Sequence, residues 1–245
     1  MADTDCGLTL VLIKPDALKL SMTGYILSQF SETHTGLRFA GMKIVHVHRM
    51  LAEEHYAEHR GKPFYPPLIE YIMGRSHYPG DPHKRRVVAL VYSGADAVKK
   101  MRAITGPTNP HVAREQAPGA IRAMGSVVPV RDASGQVVGE RMDNLVHASA
   151  SDAEAEREIK LWFRPNDIMP YMRTYPAEQS DYQYYFRDGS LFGEFVPGGT
   201  CVVARGDLAW KSDLEALRLL LDGRPAACNV GAVVAKYLIN ERQEP

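Results

Sequence analysis

The stretch Leu8-Thr9-Leu10-Val11-Leu12-Ile13-Lys14 (LTLVLIK, residues 8–14) is a short, unbroken apolar run stopped by Pro15. A run of this length bounded by a proline predicts a buried β-strand. Outward from it, Met22 to roughly Thr35 predicts a helix, with Ile26 and Phe30 four apart. Arg38 to Met50 alternates and predicts a second strand. Ala52 to His59 predicts a short polar helix, and Phe64 to Met73 a helix with prolines in its first turn, where they are tolerated. Arg86 to Tyr92 (RVVALVY) predicts a third strand, followed by a helix over Gly94 to Ile104. Leu145 and Val146 sit on or beside a last strand. The order βαββαβ points to a ferredoxin-like α+β fold, an antiparallel sheet covered by helices.

The connections carry their own signals. Arg75 to Lys84 is rich in Gly, Pro and His and predicts a loop. Thr105 to Gly119 holds three prolines and two glycines and predicts a long loop. Val127 to Arg131 and Gln136 to Val138 flank Ala133-Ser134-Gly135 and predict a hairpin. After about Pro170 the composition turns aromatic. Thr200 to Ala204 predicts a strand. Ser212, with Glu215, predicts a capped helix through Leu221 whose stripe is Leu214, Leu217, Leu220 and Leu221. Asn229 predicts the cap of a last helix reaching about Arg242. The expected organisation is therefore a main domain over 1–169 and a C-terminal α/β extension over 170–245, packed on that domain or at a subunit interface.

Composition narrows the function. The chain has 245 residues, 45% of them hydrophobic and 24% charged, with a formal net charge of +0. That is the ordinary range of a soluble globular protein. No global field draws it to nucleic acid or an anionic membrane. Cys6, Cys201 and Cys228 are odd in number and form no CxxC pair, which fits a reducing cytoplasm. No basic leader or long apolar run predicts a signal peptide or a membrane span.

Chemistry concentrates around His147. Directly after it, Ser151 to Phe163 (SDAEAEREIKLWF) predicts a helix opened by a capping box of Ser151 and Glu154. Its apolar stripe is Ala155, Ile159, Trp162 and Phe163, and Glu158 falls on the same stripe. A carboxylate on a core-facing stripe is costly unless hydrogen-bonded. The nearest group able to use it is His147. A buried carboxylate on one imidazole nitrogen leaves the other free to attack. The plain alternative, a strand-end histidine on a backbone carbonyl, is the commoner role for a single histidine.

Other candidates are weak singly. Lys14 ends a strand before a proline, where a snorkelling lysine is also common. Arg102 lies late on its helix, where it would also serve the helix dipole. Thr108 and Asn109 precede Pro110, and Arg122 follows Pro118-Gly119-Ala120-Ile121. His55 and His59, four apart, have a spacing that suits zinc, but an exposed polar face is the preferred reading. His46 and His48 read as a solvent-facing pair on a strand, Lys84-Arg85-Arg86 as a solvated loop end. Tyr182, Tyr184, Tyr185 and Phe186 read as packing of the tail.

Taken together, the blocks TLVLIKPD (9–16), KPFYPPLIEY (62–71), RVVALVY (86–92), TNP (108–110), PGAIR (118–122) and NLVHASASDAEAEREIKLWF (144–163) resemble nucleoside diphosphate kinases. They occur in family order over about Leu8 to Tyr171. The resemblance implies a ping-pong transfer of a γ-phosphoryl group from a nucleoside triphosphate to a diphosphate through a phosphohistidine. It implies His147 as nucleophile, oriented by Glu158, with Lys14 and Tyr56 in the catalytic set. It also implies Lys14, Arg102, Thr108, Arg122 and Asn144 around phosphates and ribose, Phe64 stacked on the base and Leu68 as a second apolar wall. Magnesium (Mg2+) is expected on the nucleotide phosphates with no protein ligand of its own, and the chain is expected to be a homo-oligomer. No P-loop of the GxxxxGKS/T type is present, which argues against Walker-type chemistry.

The chain departs from the family at Ala148-Ser149-Ala150, where Gly-Ser-Asp is usual. Arg75 to Lys84, Pro110 to Pro118 and Ser126 to Asp143 are longer than usual. Two alternatives follow: a nucleotide-binding regulatory protein without turnover, or a histidine phosphorelay protein. Phe64 and Thr108, matching base and ribose contacts, favour a nucleotide acceptor over the relay.

Overall fold

The computed structural model describes residues 7–131 and 134–238. Cys6, Ala133 of the expected hairpin turn and the expected last helix beyond 238 fall outside them. In chain order the elements are β1 (Gly7–Ile13), α1 (Pro15–Lys19), α2 (Thr23–Gln29), α3 (Glu32–Thr35), β2 (Arg38–Val45), α4 (Arg49–His55), α5 (Tyr65–Ile72), β3 (Val87–Gly94), α6 (Ala97–Thr105) and α7 (Pro110–Gln116). The hairpin β4 (Ser126–Arg131) and β5 (Val137–Asp143) precedes β6 (Val146–Ala148) and α8 (Asp152–Trp162). The C-terminal part adds β7 (Ala177–Gln179), β8 (Tyr184–Arg187), β9 (Ser190–Phe192), β10 (Thr200–Val203), β11 (Leu208–Trp210), α9 (Lys211–Leu221) and α10 (Val230–Val234).

The main sheet has the order β2-β3-β1-β6, with every neighbouring pair antiparallel. This is the ferredoxin-like arrangement the strand order implied. β1 is central, which explains why its apolar run does not alternate. Leu8, Leu10 and Leu12 enter one core with residues of α4, α5 and α8. Val11 and Ile13 enter a second core on the opposite face with Ile26, Phe30, Ala97 and Met101. The period of two thus divides one hydrophobic run between two helical layers.

Several boundaries differ from expectation. The helix expected over 22–35 breaks at Phe30 and Ser31 into α2 and α3. The second strand stops at Val45, because His48 caps α4 by accepting from the Leu51 N–H through its ring. His46 and His48 are therefore not a strand-face pair. The loop expected over 105–119 contains α7, opened by Asn109 accepting from the His111 N–H, with Pro110 in the first helical position. The expected hairpin is present, its second strand running on to Asp143.

In the C-terminal part, β8, β9 and β10 form one small sheet and β7 with β11 another. Tyr184, Phe186, Leu214, Leu217 and Val233 share a core. Trp210 instead enters the main core and donates to the Phe163 carbonyl at 2.8 Å. Lys236 is fully buried, its ammonium 2.9 Å from Asp213. Ser212 does not cap α9: Trp210 holds the cap position, and the Ser212 hydroxyl is buried within the first turn. Asn229 does cap α10, accepting from the Ala232 N–H at 3.0 Å. Among the described residues no helix is long and apolar enough to cross a membrane.

Candidate active site

A cleft of about 450 Å³ opens where the C-terminal end of β1 meets β6, α4, α5, α8 and the hairpin. Every side chain that the family resemblance implies lines it: Lys14, Tyr56, Phe64, Leu68, Arg102, Thr108, Arg122, Asn144, His147 and Glu158. His59 lines it too, as a half-buried residue rather than a metal ligand paired with His55.

His147 lies in β6, paired with Leu12 of β1. Val146 and Ala148 point into the second core, so alternation turns His147 to the α8 face. Its Nε2 meets both oxygens of Glu158, at 2.9 and 3.0 Å. Helix α8 delivers Glu158 as the stripe implied, buried between Ala155 and Ile159. Burial alone would push this carboxyl up. The facing His147 ring and its hydrogen bond, with the Ser149 hydroxyl donating to Oε2 at 2.6 Å, hold it down at about 2. Glu158 is therefore a carboxylate. With Nε2–H on Glu158, Nδ1 carries the lone pair that can react.

Helix α8 starts as expected, Ser151 accepting from the Glu154 N–H at 3.2 Å. The capping box is only half formed. The Glu154 carboxylate reaches past the cap to the Ala150 N–H at 3.0 Å and lines the cleft. An acidic group thus stands beside the position where Ala150 has none.

The residue before β6, Leu145, has φ +68°, a left-handed backbone that a leucine rarely adopts. It is held there from both sides. Its N–H donates to Asp16 Oδ2 at 2.8 Å, and its carbonyl accepts from the Lys14 N–H at 2.9 Å. Such strain persists only where surroundings over-determine it, and here it sets the angle between Asn144 and His147.

Asn144 joins two segments of the site, the end of β1 and the loop before α7. Its Oδ1 accepts from the Lys14 ammonium, and its Nδ2 donates to the Thr108 carbonyl at 2.7 Å. Burial lowers the Lys14 ammonium to about 8, with Asp16 opposing and Arg122 adding to the shift. Arg122 is buried and donates to the Val146 carbonyl through Nε and Nη2, and to the Gly106 carbonyl through Nη1. Three of its five N–H donors are engaged, leaving two for an anion. Burial, with Arg102 nearby, lowers it to about 10, still cationic at neutral pH. Arg102 and Thr108 are exposed at the rim. Burial raises the Tyr56 phenol well above its ordinary value, so it remains a hydroxyl donor. Phe64, 47% exposed at the mouth, offers an open aromatic face.

His55 corrects the expectation of an exposed polar face. It is buried, with its ring edge-on to His147 at 4.6 Å and its Nδ1 accepting from the Trp162 indole at 3.2 Å. Burial lowers it to about 3, so it is neutral. A signal was present: Leu51, Ala52 and His55 share one helical stripe, and all three are buried. Ser149, which no local pattern singles out, lies just past the end of β6, two residues from His147, and reaches the same carboxylate. His55, His147 and Glu158 place ligand-type atoms within 4.8 Å of one another. His147 and Glu158 already engage each other, so the cluster acts as an orienting network.

The cleft thus combines an oriented imidazole, three cations and an exposed aromatic, the requirements for moving a phosphoryl group. Comparison with known proteins agrees. The family model described as nucleoside diphosphate kinase matches residues 8–168. A nucleoside diphosphate kinase of Thermococcus kodakarensis is 38% identical over 174 residues, covering 71% of this chain and 86% of the relative. The crystal structure of the Aquifex aeolicus nucleoside diphosphate kinase is similar, with TM-score 0.53 and 32% identity, over 67% of this chain and 99% of that one. A transition-state mimic of the Borrelia burgdorferi nucleoside-diphosphate kinase with bound vanadate and ADP is similar too. Its TM-score is 0.53 at 27% identity, over 70% of this chain and 95% of that one.

Proposed function

The chain belongs to the nucleoside diphosphate kinase family, and on that premise we propose that His147 Nδ1 carries the phosphoryl group between nucleotides. The activity is phosphoryl transfer from a nucleoside triphosphate to a nucleoside diphosphate. The observation that carries the assignment is the Glu158 carboxylate on His147 Nε2. In the first half-reaction the Nδ1 lone pair forms an N–P bond to the γ-phosphorus. The bond to the β,γ-bridging oxygen breaks, and its electron pair leaves with the diphosphate. In the second, a terminal oxygen of the acceptor diphosphate attacks the phosphorus, and Nδ1 regains its lone pair.

Lys14, Arg102 and Arg122 offset the charge that builds on the transferring oxygens, and Tyr56 donates a neutral O–H. Asn144 positions Lys14, Thr108 serves the ribose end, and Phe64 with Leu68 receives the base. Glu158 stabilises the positive charge the imidazole gains on phosphorylation. The donor set at the phosphate end is cationic and amide-bearing. Glu158 is engaged by His147, and Glu154 by a backbone N–H. Mg2+ would therefore be held through the bound nucleotide rather than caged by protein side chains, and would withdraw charge from the phosphates.

Incubation with ATP and Mg2+ followed by intact mass under alkaline conditions tests the reading. A single phosphoryl adduct that GDP discharges to GTP supports it. No adduct would leave a binding protein, and an adduct indifferent to every nucleoside diphosphate would leave a relay. Glu158→Gln is expected to slow transfer by about tenfold or more, because the charged orienting partner is lost; an unchanged single-turnover rate would make Glu158 purely structural.

Lys14 gives a pH dependence. Its ammonium is charged below about 8 and neutral above. Nucleotide binds the charged form better, so kcat/KM should fall as pH rises through that value. Lys14→Arg keeps its charge there and should flatten the limb. A wild-type profile that stays level to about pH 9 would exclude Lys14 as a titrating phosphate ligand.

Residues 1–169 are read as the catalytic unit and 170–245 as an appended unit that braces it. Self-association is also part of the reading, supported by exposed Met42 and Ile44 on the edge strand β2. Sizing in solution tests it. A cytoplasmic setting fits the free thiols of Cys201 and Cys228.

A further inference from the structure

We propose that Arg141, on the inserted β4–β5 hairpin, forms the wall of the cleft opposite Phe64 and stacks its guanidinium plane on the nucleobase. The inference rests on nucleotide binding in the cleft and adds a residue that selects for the base. The hairpin leaves the chain just after Arg122 and returns just before Asn144. Its last residues therefore run straight into the site, where Glu140, Arg141 and Met142 line the same cleft as Phe64 and Leu68.

Phe64 gives the base one flat partner, and Leu68 adds an apolar contact but no second planar one. A guanidinium is flat, weakly hydrated and stacks on π-systems. Arg141 is held in one orientation: Nε donates to Asp143 Oδ1 at 2.6 Å and Nη2 to Oδ2 at 3.0 Å. This side-on, two-point grip fixes the plane of the guanidinium. The Arg141 side chain is 21% exposed, between a free surface arginine and a core residue.

Asp143 is itself braced. Its Oδ2 lies 2.9 Å from Nε2 of His77, a buried residue of the long 75–84 connection. The two lengthened segments are thus tied together beside the cleft. The His77 ring packs against Tyr71 at 5.2 Å, and the Lys14 ammonium lies 4.6 Å over the Tyr71 ring. Burial would push the Asp143 carboxyl up, but the His77 and Arg141 hydrogen bonds hold it at about 2. A fully charged carboxylate offsets Arg141, which makes Arg141 a poor partner for phosphate and leaves its plane for the base. His77 and Asp143 are positioning residues.

Calorimetry on the full-length chain tests this with two ligands, ADP and ribose 5-diphosphate, which lacks the base. Arg141→Ala should weaken ADP about fivefold or more and leave ribose 5-diphosphate unchanged. Arg141→Lys keeps the charge, loses the plane and should behave like alanine. His77→Ala should weaken ADP in the same selective way. His77→Gln, whose amide still reaches Asp143, should restore it. An equal loss for both ligands would make Arg141 a phosphate contact, and no loss for either would remove the hairpin from the site; both overturn the proposal. So would a lysine variant that binds ADP like wild type. Phosphorylation of wild-type His147 by ATP, measured in parallel, separates failure of this inference from failure of the transfer reading.

Discussion

Replacing His147 with alanine should abolish the phosphoryl adduct and reduce nucleotide transfer by about four orders of magnitude or more, the scale of losing a covalent nucleophile. The reason is geometric. His55, the nearest other imidazole, is buried, and its Nδ1 already accepts from Trp162. Lys14 is held against Asn144. Neither can take over. Nucleotide affinity should change by no more than a few-fold, because Lys14, Arg102, Arg122 and Phe64 are untouched. Intact mass after ATP, steady-state transfer to GDP and calorimetric ADP binding read the three quantities separately. Residual turnover near wild type would move the nucleophile elsewhere. Lost ADP binding would show that His147 shapes the cleft as well as reacting.

The parts of this site that could be read directly from sequence are those joined over short distances. His147 and Glu158 are eleven apart, on a strand and the helix that follows it. One helical stripe was enough to bring them together. The sheet was legible for a similar reason, since the uninterrupted run 8–14 marks a strand covered on both faces. Lys14 and Asn144 are 130 residues apart, and no local pattern joins them; only the family resemblance placed both in one cleft. Local rules also failed where tertiary contacts override them. Ser212 looks like a cap, but docking of Trp210 starts α9 earlier and buries the serine in its first turn. Prolines and glycines made 105–119 look like loop, although Asn109-Pro110 is also a good helix start. His55 reads as part of a polar face because Glu54 stands beside it and no HExxH pattern is present, whereas burial follows the Leu51-Ala52-His55 stripe.

The C-terminal part has no counterpart among the family blocks, yet it is built into the catalytic fold, and Trp210→Ala should show how firmly. Trp210 is fully buried and belongs to the same core as Leu12, Leu51, Ile159 and Trp162. Its indole donates to the Phe163 carbonyl at the end of α8, and Tyr175 meets it edge-on at 6.2 Å. Alanine would leave a large cavity and an unpaired backbone carbonyl. The expected loss is about 3–5 kcal/mol by equilibrium urea unfolding, with a fall in Tm of roughly 6 °C or more. Trp210→Phe keeps most of the volume and loses only the hydrogen bond, so it should cost distinctly less. The consequence should extend to the active site, because the appended unit also grips the helix that carries His55. His48, which caps α4, bonds the Ala235 carbonyl at 3.0 Å, and Asn229 donates to Glu54 at 3.0 Å. Loosening Trp210 should therefore slow phosphorylation of His147 even in conditions where the protein stays folded. A Trp210→Ala protein that unfolds as wild type does would mean that the extension is docked by its other contacts, and a destabilised variant with undiminished phosphorylation would separate the brace from the chemistry.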